Sequence, residues 1–185
     1  MRENPYYSYN IDALSFVERA KEQLAIFDEK ENVSSLLYAA LELRMGIEAT
    51  LHEKLDAVHK AEGINYDSQK EHAASKLRKK LSSISPSSCT EASLTMTFHP
   101  MLSSQTMVYT PPTQELVKMQ GQLGDLLHMQ VFLSTEYWYL RKPPAEAHDV
   151  SFAKHMSLLS RVVEELTKCN SGDLIIPPHF KTTTR

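Results

Sequence analysis

The chain has 185 residues and a mass of 21.0 kDa, enough for one domain that buries its own core without a metal or disulfide staple. Hydrophobic residues make up 42% and charged ones 23%, which excludes a mostly disordered chain, and a net charge of −3 excludes a whole-chain basic field for nucleic acid. Two cysteines, Cys89 and Cys169, exclude a disulfide framework and fit a reducing, cytoplasmic compartment.

The start of the chain, residues 1–10, is polar and aromatic and lacks the apolar stretch of a signal peptide. No apolar run approaches the roughly 20 residues of a membrane span, so no membrane partner is expected. Glycine is scarce, at 5 residues, which favours helices over a turn-rich β fold. A first helix is predicted over about 12–30, capped by Asn10 or Asp12, with Leu14, Val17, Ala20, Leu24 and Phe27 at helical spacing. A second follows over 33–62, capped by Asn32 and ended by Gly63. Its length, roughly 45 Å at 1.5 Å per residue, suits a helical bundle.

A third, shorter helix is predicted over about 68–83 with Asp67 as its cap, then a serine-rich loop through Pro86. The hydrophobic period next changes to two: Leu94, Met96 and Phe98 alternate with Ser93, Thr95 and Thr97. With a turn at 100–104 and a return strand over 105–110, this predicts a β-hairpin at about 93–110, with Thr106, Val108 and Thr110 on one face. Thr113 caps a fourth helix reaching about residue 140, and Pro143 and Pro144 separate it from a fifth over about 145–169. The expected fold class is thus all-α, an up-down bundle of four to five helices with an inserted hairpin. Residues 1–172 form one domain and 173–185 an extended or loose tail.

Polar residues fall where apolar ones belong. At about 100° per residue, Leu37, Ala40, Ile47, Leu51, Leu55 and Val58 all lie within about 60° of Arg44. Arg44 and Glu48 are therefore expected inside the core-facing stripe, in contact with each other or with a shared polar partner, since an uncompensated buried charge is costly. His52 stands at the stripe's edge, and His155 sits within the apolar stripe of the fifth helix. These four form the expected inward polar cluster. Glu48, His52, Asp56 and His59 spread over about 80° and lack an HExxH pattern, so no metal or cofactor is expected.

Five basic residues against one acidic between positions 70 and 80 give a local excess of positive charge. Lys76, Arg78, Lys79 and Lys80 are the candidate nucleic-acid patch, though spread around the helix. Tyr137, Trp138 and Tyr139, beside Arg141 and Lys142, could stack on bases or face the core. Gly121 and Gly124 each weaken the fourth helix by about 1 kcal/mol relative to Ala, which a close helix approach, in the core or at a dimer seam, would explain.

The stretch LLYAALELRMGIEATLHEKL, residues 36–55, resembles the long helix of HEPN-superfamily proteins, small helical bundles of bacterial toxin–antitoxin and anti-phage systems. In that family, catalytic members are metal-independent endoribonucleases with an Arg, four to six residues and then a His, paired across a symmetric dimer. Arg44 and His52 have seven residues between them, whereas Arg141 and His148 have six. The resemblance would make Arg141 the group that stabilises charge on phosphate and His148 the general acid or base. Lys142 and two prolines follow Arg141, where the family often has Asn, Asp or His. The preferred expectation is therefore a non-catalytic interaction module that forms a homodimer and binds a protein partner. The alternative is a ribonuclease acting on RNA through Arg141 and His148.

Overall fold

A computed structural model describes residues 10–30, 33–64, 71, 73–98, 103–128 and 145–178. It shows an all-α bundle of about five helices with an antiparallel β-hairpin inserted before the fourth: α1 (Ala13–Lys30), α2 (Val33–Glu62), α3 (Ala74–Ile84), β1 (Ala92–Phe98), β2 (Ser103–Tyr109), α4 (Gln114–Leu127) and α5 (Ala145–Asn170). A short 3-10 turn, Pro86–Cys89, joins α3 to the hairpin. The long helix α2 is the axis, with α1, α3, α4 and α5 all packed on it.

Local chemistry sets three of the helix ends. Asp12 caps α1: its carboxylate accepts from the Ser15 N–H at 2.9 Å and from the Ser15 hydroxyl at 2.6 Å. Those two bonds hold the Asp12 carboxyl below the usual aspartate range. Gly63 ends α2 in the left-handed region at φ 67°, and the Ile64 N–H returns to the His59 carbonyl at 2.9 Å, as in a Schellman motif. Thr113 caps α4 by accepting from the Leu116 N–H at 3.0 Å.

Two helices are shorter than the sequence predicts. Ala73 is extended, at φ −78° and ψ 117°, so α3 begins at Ala74 and not at 68; the expected Asp67 cap lies outside the described residues. Helix α4 ends at Leu127 instead of about 140, because His128 turns extended at ψ 126° after its N–H reaches the Gly124 carbonyl at 3.0 Å. Residues 129–144, with the aromatic run and Arg141, lie outside the described residues.

Among the described residues the core is a cluster built along α2 from Leu36, Ala39, Ala40, Leu43, Ile47, Leu51, Leu55 and Val58. Helix α1 adds Val17, Ala20, Leu24 and Phe27, as predicted, while Leu14 is 46% exposed and Ala13 and Phe16 are buried in its place. Sequence periodicity missed Gly46. A Cβ there would lie 3.2 Å from both Phe16 Cβ and Leu166 Cδ1, so this glycine sets how closely α1 and α5 approach α2.

The hairpin keeps its period of two. Leu94 pairs with Met107 and Met96 with Gln105 on one face, while Thr95 and Thr106 pair on the other, with their hydroxyls 2.9 Å apart. Its return strand runs Ser103–Tyr109, two residues earlier at its start than expected. Tyr109 anchors the base: the side chain is fully buried and its hydroxyl donates to the Ser88 carbonyl at 2.7 Å. The chain beyond α5 returns to this strand. The Val108 N–H donates to Asp173 Oδ2 at 3.1 Å, and the Leu174 N–H donates to the Val108 carbonyl at 3.2 Å. Gly172 permits this approach, since a Cβ there would lie 2.7 Å from the Val108 oxygen.

Candidate functional site

The Arg44 and Glu48 side chains do meet, with Nε 3.7 Å from Oε1, as one turn of helix allows. A third group completes the arrangement: Gln120 of α4 donates from Nε2 to Glu48 Oε1 at 2.7 Å. The Arg44 guanidinium also lies beside Gly124, 3.4 Å from where a Cβ would stand, a contact that a small shift of this long side chain would accommodate. Nothing lies within 4 Å of the corresponding position at Gly121, so no close approach within the described residues explains it.

Burial of this pair differs from expectation. The Arg44 side chain is 39% exposed and that of Glu48 16%. Packing of four helices around α2 centres its buried arc near Ile47, about 60° from Arg44. The pair therefore lies on the arc's flank, against α4, where Arg44 keeps part of its hydration.

His52 is half-buried on the same flank, and its Nδ1 is enclosed without a hydrogen-bond partner among the described residues. His155 belongs elsewhere. It lines a cleft of about 410 Å³ between α4 and α5 with Gln122, Asp125, Leu126, Lys154 and Arg161. Gln120 and Gly124 face Arg44 and Glu48, whereas the residues lining the cleft project from the other side of α4. The four residues of the expected inward cluster are thus divided between two places. Burial, followed by the charge of Lys154, pushes His155 below the usual histidine range.

The basic segment also divides. Arg78 is a structural joint: its Nε donates to the Pro112 carbonyl at 3.1 Å and its Nη1 to Gln114 Oε1 at 2.8 Å, tying α3 to the start of α4. Lys76, Lys79 and Lys80 are exposed within about 100° of arc on the opposite side of α3, with Lys76 3.5 Å from Glu71. Arg141 and the side chain of His148 lie outside the described residues. Among the described residues, no group of three or more His, Cys, Asp or Glu side chains is placed to hold a metal ion. No helix among them is long and apolar enough to cross a membrane.

One buried charge escaped the sequence reading. Lys54 is 4% exposed, at about −80° from Arg44 and so well inside the buried arc. Its ammonium stands 4.7 Å from the centroid of the Tyr109 ring, a cation–π contact between α2 and the hairpin base. Desolvation pushes Lys54 below the usual lysine range. Burial pushes the neighbouring Cys169 thiol up to about 11 and the Tyr109 hydroxyl higher still, so both stay neutral near pH 7. The signal available in the sequence was the helical phase of Lys54 relative to Ile47 and Leu51. Its partners come from far along the chain.

Comparison with known proteins gives no match to a family model, to a curated protein or to a solved structure.

Proposed function

We propose that this chain is a non-catalytic helical interaction module that self-associates and engages a protein partner. The observation that carries this reading is a row of exposed apolar side chains on α2, Tyr38, Leu41 and Met45, at 59%, 44% and 42% exposure. They follow one another at steps of three and four, so they share one face. Scattered exposed apolar residues are ordinary, but a contiguous row on a core-forming helix is the kind of surface that another protein covers.

The HEPN-like reading, with its bacterial toxin–antitoxin or anti-phage setting, rests on the resemblance of residues 36–55 and on the helical-bundle fold. Arg44 and Glu48 flank the apolar row, giving it a polar border.

Light scattering on the full chain at micromolar concentration tests the reading. A mass above 21.0 kDa that returns to that value in Tyr38→Glu with Met45→Glu supports it. A monomer at every concentration, with no effect of the substitutions, ends it. RNA incubated with the protein in excess chelator provides the second arm. Cleavage that disappears in both Arg141→Ala and His148→Ala would replace this reading by the metal-independent ribonuclease.

A further inference from the structure

The cleft beside Lys54 has a composition that α2's exposed row does not explain. It encloses about 550 Å³, within the roughly 300–1,000 Å³ of small-molecule sites. Five charged residues line it: Asp12, Glu53, Lys54, Asp56 and Lys60. Four of them are already engaged within the protein. Asp12 caps α1 through Ser15, Glu53 Oε1 accepts the Ala13 N–H at 2.8 Å, and Lys60 pairs with Asp56 at 2.6 Å.

Lys54 differs from the other four. It is the most buried of the five charges, and its ammonium makes no ion pair or hydrogen bond among the described residues. The Tyr109 ring offers one face, which stabilises the cation without accepting a hydrogen bond. Of the groups around it, Cys169 remains a thiol, Tyr109 is a phenol that donates to Ser88, and Glu53, whose charge favours the ammonium from a distance, is held by the Ala13 N–H. A largely desolvated ammonium whose three donors find no protein acceptor among the described residues is costly, and an anion placed in the cleft would relieve that cost.

The rim supplies the other half of the recognition. Leu14, Leu174 and Ile175 line the same cleft, and two of them are strongly exposed, Leu14 at 46% and Ile175 at 63%. We propose that this cleft binds a carboxylate carried on a short aliphatic chain, the head group meeting Lys54 and the chain lying against Leu14, Leu174 and Ile175. Such a ligand satisfies the ammonium's donors and covers the apolar rim in one step. Lys54 and Met45 project from opposite sides of α2, so the site is separate from the surface assigned to partner binding.

Calorimetry on the full chain with octanoate tests the assignment. The expected result is saturable binding at one site, with 1-octanol (the same chain without the charge) and acetate (the charge without the chain) each at least tenfold weaker. N-Acetyl-leucyl-leucine presents the same carboxylate on a peptide, and whichever of it and octanoate binds tighter assigns the head group to a peptide terminus or a free acid. Lys54→Met should abolish octanoate binding while keeping a cooperative thermal transition. Should that variant not fold, Leu14→Asp with Ile175→Asp, both at exposed positions, should weaken octanoate at least tenfold and leave the melting temperature unchanged. No saturable binding, equal binding of octanol, or full binding in the folded Lys54→Met protein or in the rim variant would overturn the proposal.

Discussion

Glu48 accepts from Gln120 and faces Arg44 with 16% of its side chain exposed, so removing it strands two polar groups at the α2–α4 contact. Glu48→Ala is expected to cost about 1–2 kcal/mol, the lower part of the range for a lost hydrogen bond to a charged group. The cost stays below the ~3–5 kcal/mol of a broken buried pair, because Arg44 keeps contact with water. A thermal melt reads it as a drop of roughly 2–8 °C, and an unchanged melting temperature would mean that the pair is fully solvated. His59 sets a pH dependence. It is 3% exposed, and burial, then the charge of Lys80, holds it below the usual histidine range, with Asp56 acting in the opposite direction. The unfolded chain takes up this proton near pH ~6.5, before the folded one does. Its contribution is therefore fully present above about pH 6.5 and is lost as pH falls through the lower folded value. His155 shifts in the same direction. Melting temperature should fall between pH ~6.5 and 5, less steeply in His59→Gln than in the parent. Identical slopes would show that His59 does not carry the effect.

Helices in this protein are governed as much by their neighbours as by their own residues, and two glycines separate the contributions. At Gly121, in α4, an added methyl meets nothing within 4 Å. Gly121→Ala should raise stability by about 1 kcal/mol through helix propensity. At Gly46 the same gain is opposed by Phe16 Cβ and Leu166 Cδ1 at 3.2 Å. Phe16 Cβ is fixed to the α1 backbone, so α1 itself must move. Overpacking of this kind costs about 1–3 kcal/mol, and Gly46→Ala is expected to destabilise on balance. Denaturant melts of the two variants should shift in opposite directions. Equal shifts would mean that the α1–α2 contact adjusts freely. A rise in stability at Gly121 joined to loss of self-association would place that glycine at the dimer seam.

At the scale of the molecule, α2 is shared by every other helix among the described residues, so none of these helices keeps its core contacts when α2 leaves. Helical signal and tertiary signal should therefore be lost together in denaturant, in one transition. Circular dichroism in the far and near ultraviolet gives both readings on one sample. Separated midpoints would show that α2 and its neighbours do not unfold as one unit. The hairpin is joined to this unit at its base through Tyr109 and Ser88, and through Asp173 and Leu174 at Val108. It should lose its structure within the same transition.

Much of the fold was legible in the sequence because its signals are local. Asp12, Gly63 and Thr113 mark helix ends through bonds to residues a turn or so away, and alternation from Ser93 to Phe98 announces a strand that needs only its return partner. Contact between Arg44 and Glu48 was legible for the same reason, since one helical turn brings them together. The phase of burial around α2 was not. Apolar residues cover a wide arc of this helix, and only the packing of α1, α3, α4 and α5 decides which part of that arc is deepest. That choice left Arg44 at the flank and took Lys54 inside, where Tyr109 and Cys169 arrive from residues more than fifty positions away. It likewise turned Arg78 toward Pro112 and Gln114, and brought Glu53 to the first amide of α1. Period and capping are properties of neighbouring residues. The environment of a charge depends on every element that surrounds it, so only the tertiary structure decided which of these charges lost its water.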